Sequence, residues 1–237
     1  MNHSQRLVNN AGVQIHCLEF NTTSTGIPLI VVPGMINSAE QVADEIGQYL
    51  TGRTIILSLR GRGKSDSPIF GWTLDDQASD VTAVIAAYGF DQVILFGHSA
   101  GASIAARSLP SIKARVAGFV IGDFAPFYPP YHEQWKQHIM GLPERQISDD
   151  ALEGIVRDAK YEDVMANLQQ SAASILVITG EPERSALRPE EIEKMKERLP
   201  RAEVSVLAGC GHEFLSDDPA RAVEILERFT AGLESAS

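Results

Sequence analysis

Short apolar runs alternate with amphipathic stretches along most of the chain, the pattern of a mostly parallel sheet flanked by helices. Leu29-Ile30-Val31-Val32, Thr54-Ile55-Ile56-Leu57, Val93-Ile94-Leu95-Phe96, residues 116–121, Ile175-Leu176-Val177-Ile178 and residues 204–207 read as strands. Most are apolar throughout, as strands covered on both faces must be. Val13-Gln14-Ile15-His16-Cys17-Leu18 instead alternates behind the turn-like Asn9-Asn10-Ala11-Gly12, which predicts an antiparallel hairpin from the first two strands. Helical spacing fits residues of about 38–50, 74–88, 189–199 and 219–229. In the second of these Val81, Val84, Ile85 and Tyr88 share one face, and Gly89 closes the helix. The rhythm breaks between about 124 and 171, where Phe124-Ala125-Pro126-Phe127-Tyr128-Pro129-Pro130-Tyr131 leads into polar helical segments. This stretch predicts a small insertion of two or three short helices within one α/β domain spanning residues 1–237.

Composition adds mainly exclusions. At 237 residues the chain is long enough for one well-filled core. A net charge of −11 speaks against nucleic acid and anionic membranes as partners. No segment approaches membrane-spanning length, and the segment Met1-Asn2-His3-Ser4-Gln5-Arg6 lacks the apolar stretch of a leader. Cys17 and Cys210 are far apart and outside metal-ligand spacing, so buried thiols in a reducing, cytoplasmic setting are expected, with no metal.

The chemistry gathers behind the strand at 93–96. Gly97-His98-Ser99-Ala100-Gly101 is G-x-S-x-G between a strand and the helix-like Ser103-Ile104-Ala105-Ala106-Arg107. A serine hydroxyl becomes a useful nucleophile when a sharp turn holds it clear of the backbone, near a base and at a helix N-terminus. Four more features stand where acyl transfer would need them. Pro33-Gly34-Met35-Ile36-Asn37-Ser38 is a glycine-bearing loop after a strand, and Gly209-Cys210-Gly211-His212 carries a histidine after the last strand. Gly180-Glu181-Pro182-Glu183 and Val120-Ile121-Gly122-Asp123 each end a strand on a carboxylate.

With these residues the chain resembles the α/β-hydrolase family over nearly its whole length. Leu59-Arg60-Gly61-Arg62-Gly63-Lys64-Ser65-Asp66 is similar to the family's D-x-R-G-x-G-x-S loop, with Ser58 in place of the aspartate. The resemblance implies the α/β-hydrolase fold with a short helical cap, and an order of nucleophile Ser99, acid Glu183 and base His212, with Asp123 as the alternative acid. It implies backbone N–H groups of Met35 and Ala100 as an oxyanion hole and needs no cofactor. Pro33 replaces the family's usual histidine before Gly34, and Ala102 replaces a glycine after the elbow. Phe124, Phe127, Tyr128, Tyr131 and Trp135 are expected to give the substrate pocket apolar walls. Arg60, Arg62 and Lys64 are expected to brace a turn.

The expected activity is that of a serine hydrolase, a carboxylesterase for small to medium apolar esters, acting on a small molecule as a monomer or homodimer. Cleavage of C–C bonds, lactones or amides, cofactor-free perhydrolysis, and a non-catalytic receptor of the same fold are the alternatives. Dehalogenases and epoxide hydrolases of this family carry aspartate where Ser99 stands, which disfavours both.

Overall fold

A computed structural model describes residues 3–112 and 114–235; Met1 and Asn2 of the segment read above lie outside it. Strands β1 (His3–Asn10), β2 (Val13–Phe20), β3 (Leu29–Val32), β4 (Thr54–Leu57), β5 (Gln92–His98), β6 (Arg115–Gly122), β9 (Ser174–Thr179) and β10 (Glu203–Val206) form one sheet. Its order is β1-β2-β4-β3-β5-β6-β9-β10. The first two strands form the expected antiparallel hairpin and β2 runs antiparallel to β4, while the pairs from β4 to β10 are parallel.

Side chains alternate between the two faces, so each buried strand feeds two cores. Ile30, Val32, Ile55, Leu57, Val93 and Leu95 pack on one side. Leu29, Val31, Ile56, Ile94 and Phe96 pack on the other. Burying each such side chain contributes about 1.5–3 kcal/mol, which explains why these strands show no polar alternation. Helices α1 (Ala39–Ile46), α8 (Phe214–Asp217) and α9 (Pro219–Ser235) cover the second face. The first face is covered by α2 (Leu74–Tyr88), α3 (Ala100–Ser108) and α7 (Pro189–Arg198). α2 begins in a capping box between Thr73 and Asp76 and ends at Gly89, whose φ of 68° is the left-handed stop predicted from sequence. α9 runs six residues past the predicted end at 229.

Between β6 and β9 lie a two-stranded ribbon, β7 (Phe127–Tyr128) with β8 (Glu162–Asp163), and the short helices α4 (Glu133–Met140), α5 (Asp149–Asp158) and α6 (Met165–Gln170). The ribbon is too short for a two-residue alternation to announce it. Ile139, Ala151, Leu152, Ile155, Met165 and Leu168 from these helices join the first core. The segment is also tied down by its backbone: Gln146 N–H donates to Ile36 C=O, Gly63 N–H to Gln146 C=O, and Ser148 N–H to Gly61 C=O. Among the described residues no helix is long and apolar enough to cross a membrane.

Candidate active site

Ser99 sits at the junction of β5 and α3 with φ 53° and ψ −135°. A side-chain-bearing residue takes that conformation at a cost of roughly 1–3 kcal/mol, so the surroundings must impose it. Close packing does so. A Cβ on Gly101 would lie 2.3 Å from Val32 O, and one on Gly97 2.4 Å from Ala102 Cα. Only glycine at both positions lets α3 start hard against β3. The turn is held by Ser99 N–H donating to Gly122 C=O at 2.8 Å and Ala102 N–H to Ser99 C=O at 2.9 Å. Ala102 in place of the family's glycine therefore takes part in the turn without obstructing it.

His212 follows β10 in a loop whose every bend has a partner. Its N–H donates to Arg184 C=O, Gly211 N–H donates to Asp217, and Gly209 N–H donates to Glu181. Fully buried His98 donates from Nε2 to the carbonyl of His212 at 2.8 Å and meets Phe214 edge-on. Burial and the neighbouring His212 hold His98 below the ordinary histidine pKa, so it braces the loop as a neutral ring. The result places His212 Nε2 3.1 Å from Ser99 Oγ.

On the other side of the ring, His212 Nδ1 lies 2.7 Å from Asp123 Oδ2. Of the two carboxylates expected from sequence, the favoured Glu183 and the alternative Asp123, the structure brings Asp123 to the imidazole's second nitrogen and leaves Glu183 exposed on the loop after β9. The reason is visible in the loop itself. Asp123 ends β6 with φ 49°, its N–H bonded to Ile178 C=O, so its carboxylate turns toward the loop after β9. The end of β9 and that loop supply donors to it. Ser185 Oγ, Thr179 Oγ1 at 2.7 Å and Ala186 N–H at 2.8 Å all reach Asp123, with Leu187 N–H at 3.4 Å. Burial raises the Asp123 pKa, but the hydrogen bonds from His212, Ser185, Ala186 and Thr179 outweigh it and hold it below the usual carboxylate range. For His212, burial disfavours the imidazolium, yet the Asp123 hydrogen bond and the charges of Glu213 and Asp123 raise its pKa above 6.5.

The loop after β3 closes the site. A Cβ on Gly34 would lie 3.5 Å from Ser99 Cβ, so the backbone here passes directly beside the Ser99 side chain. Among the described residues neither Met35 N–H nor Ala100 N–H, the first amide of α3, has an acceptor within the protein. Ser58, where the family's aspartate is usual, accepts from Ala39 N–H through its hydroxyl and so fixes the start of α1 at the end of this loop.

The aromatic residues divide. Tyr131 and Trp135 are partly buried with ring centroids 4.4 Å apart, and Phe124 lies immediately after Asp123. Tyr128, expected as a pocket wall, is instead a core residue: it has no exposure and its hydroxyl accepts from Gln77 Nε2 at 2.8 Å, the partner a buried phenol requires. Phe127 faces a groove of about 330 Å³ that it lines with Tyr161, Met165 and Met195. The basic loop is largely internal. Arg60 pairs with buried Asp80 at 2.7 Å and Arg62 is fully buried, whereas Lys64 reaches Glu40 from the surface.

Comparison with known proteins supplies the wider setting. An N-formylmaleamate deformylase of Pseudomonas putida KT2440 is 26% identical over 246 residues, covering 87% of this chain and 89% of its own. A solved esterase from Rhodococcus sp. ECU1013 superposes with TM-score 0.78 at 21% identity, over 98% of this chain and 100% of that one. An esterase from Exiguobacterium antarcticum does so with TM-score 0.77 at 19% identity, over 96% and 100%. The sequence model of the alpha/beta hydrolase family matches residues 29–225, from β3 to the middle of α9. This chain is a hydrolase and belongs to the α/β-hydrolase family.

Proposed function

We propose that the chain is a serine hydrolase that cleaves carboxylic esters of small to medium, moderately apolar substrates, with Ser99 as nucleophile, His212 as base and Asp123 as acid. The observation that carries this reading is the unbroken line from Ser99 Oγ through His212 to Asp123 Oδ2, with spacings of 3.1 and 2.7 Å. Asp123 holds the tautomer in which Nδ1–H donates to the carboxylate, leaving Nε2 free to accept the serine proton. Ser99 Oγ attacks the acyl carbon as its proton passes to Nε2, and the carbonyl oxygen becomes an anion bound by Met35 and Ala100 N–H. The tetrahedral intermediate collapses, the imidazolium protonates the departing alkoxide, and an acyl-enzyme remains. Water then attacks with the same base, releasing the acid and free Ser99.

Residues 124–171 act as a cap in this reading, with Phe124, Tyr131 and Trp135 as apolar pocket walls. Two buried free thiols suit a cytoplasmic setting. The same groups can cleave an amide, and the deformylase name of the Pseudomonas putida relative favours that as the second reading. A fluorophosphonate probe with a panel of p-nitrophenyl esters and N-formyl amides tests both. Labelling at Ser99 and turnover of short and medium acyl esters are expected, each lost in Ser99→Ala. Turnover of the amides alone selects the second reading; turnover by a well-folded Ser99→Ala protein removes both.

A further inference from the structure

The most unusual charge in the molecule lies beneath the loop that carries Met35. Arg62 is fully buried, and among the described residues no carboxylate is in ion-pair contact with it. Its Nε donates to Met35 C=O at 2.9 Å, and one terminal nitrogen donates to Arg60 C=O at 2.6 Å. The other reaches Met35 Sδ and Gln77 Oε1, the latter at 2.9 Å. Burial pushes its pKa down to about 10, which still leaves the guanidinium charged at neutral pH. Burying a charge without a counter-ion is costly, and neutral partners offset only part of that cost. The neighbouring Arg60 solves the same problem with Asp80. Arg62 does not, although its geometry is fixed by four neutral acceptors.

Two consequences follow from where those acceptors lie. Two of the four belong to Met35, whose N–H is an oxyanion donor in the reading above, so the guanidinium fixes that residue at its carbonyl and side chain together. The unpaired positive charge also contacts the residue whose N–H meets the developing negative charge in that reading. In a water-excluded site such preorganised charge acts most strongly on the transition state. The same residue engages the cap: Arg62 forms an isolated antiparallel bridge with Ile147, and Gln77 passes the network on to the Tyr128 hydroxyl.

We infer that Arg62 is a positioning residue for the oxyanion hole, whose buried, uncompensated guanidinium holds the Met35 loop in place, adds positive potential at the oxyanion and ties both to the cap. This rests on the triad and oxyanion assignment proposed above, which Ser99→Ala tests separately. Arg62→Met keeps the volume and removes the charge and donors. The expected result is a fall in kcat of about 10²-fold, the size seen on losing one oxyanion donor, with KM changed by less than about threefold. Affinity for phenylboronic acid, which forms a tetrahedral anion on a serine oxygen, should fall by the same factor as kcat, a correlation that a purely structural role would not produce. Gln77→Glu keeps the guanidinium in place and gives it a counter-ion, so it should lower kcat and boronate affinity together even if Arg62→Met folds poorly. Should Ser99→Ala be inactive while a folded Arg62→Met or Gln77→Glu enzyme retains full kcat, the inference about Arg62 fails and the triad stands. A fall in kcat with undiminished boronate affinity also overturns it.

Discussion

Asp123 has no exposure, yet in the proposed triad it has to remain ionised to hold His212, and a buried carboxylate does so only when donors replace the water it has lost. Here they come from Thr179, Ser185, Ala186 and Leu187 as well as from the imidazole. Asp123→Asn removes the charge and permits the wrong tautomer, so the rate should fall by up to about 10⁴-fold. Glu183→Gln, on the exposed outer side of the same loop, should leave the rate nearly unchanged. Turnover of one activated ester by both variants, with circular dichroism as a folding check, reads the comparison; an unaffected Asp123→Asn enzyme would return the acid to Glu183. The pH profile carries the same information. A base with its pKa raised above 6.5 is inactivated by protonation as pH falls through that raised value. The acidic limb of kcat/KM should therefore lie above pH 6.5 in the parent enzyme and move to lower pH in whatever activity Asp123→Asn retains.

At the scale of elements, the strand–turn–helix around Ser99 was legible because everything that makes it is local: an apolar strand, two glycines, a small helix start. Choosing between Asp123 and Glu183 was not, since both follow buried strands in sequence. The difference lies in how the loop after β9 folds across β6, bringing Ser185 to within hydrogen-bonding reach of a residue 62 positions earlier. Thr179 and Ser185 on either side of Gly180-Glu181-Pro182-Glu183 were the available signal, two hydroxyls where a carboxylate needed donors. Arg62 was legible as part of a braced turn, but nothing in the spacing revealed its burial under Met35. The elbow itself yields a sharp expectation. Gly101→Ala would drive a methyl into the carbonyl oxygens of Val32 and Pro33, backbone that cannot yield without moving the Met35 loop. Overpacking of this kind costs about 1–3 kcal/mol, and here the displaced strand end also leads into Met35, the proposed oxyanion donor. Denaturant titration should show the lost stability, while steady-state kinetics should show kcat falling by a larger factor than KM rises. Full activity with parental stability would mean that the elbow is not locked against β3.

For the whole molecule, the buried pair Arg60–Asp80 ties α2 to the sheet and to the loop that follows β4. Asp80, on α2, accepts from Arg60 N–H, Nε and a terminal nitrogen, and also from Asn10 at the end of β1. Arg60 in turn donates to Gly71 C=O, and its own carbonyl accepts from Arg62. One carboxylate thus fixes the first hairpin, the start of the basic loop and α2 relative to the strand β4 that precedes them. Asp80→Asn preserves shape but leaves a guanidinium that is 6% exposed without its counter-ion. Breaking one side of a buried pair costs about 3–5 kcal/mol. For a domain of this size each kcal/mol lowers Tm by about 2–4 °C, so a drop of roughly 6–20 °C is expected in thermal denaturation. Removing both charges in Arg60→Met with Asp80→Leu should recover much of that loss, because an apolar pair of similar volume does not need compensation. It should not recover the rate, since the Arg60 backbone that orients Arg62 would be set by packing alone. If Asp80→Asn melts within a degree or two of the parent, the pair is a bystander and the hairpin and α2 are held by their apolar faces.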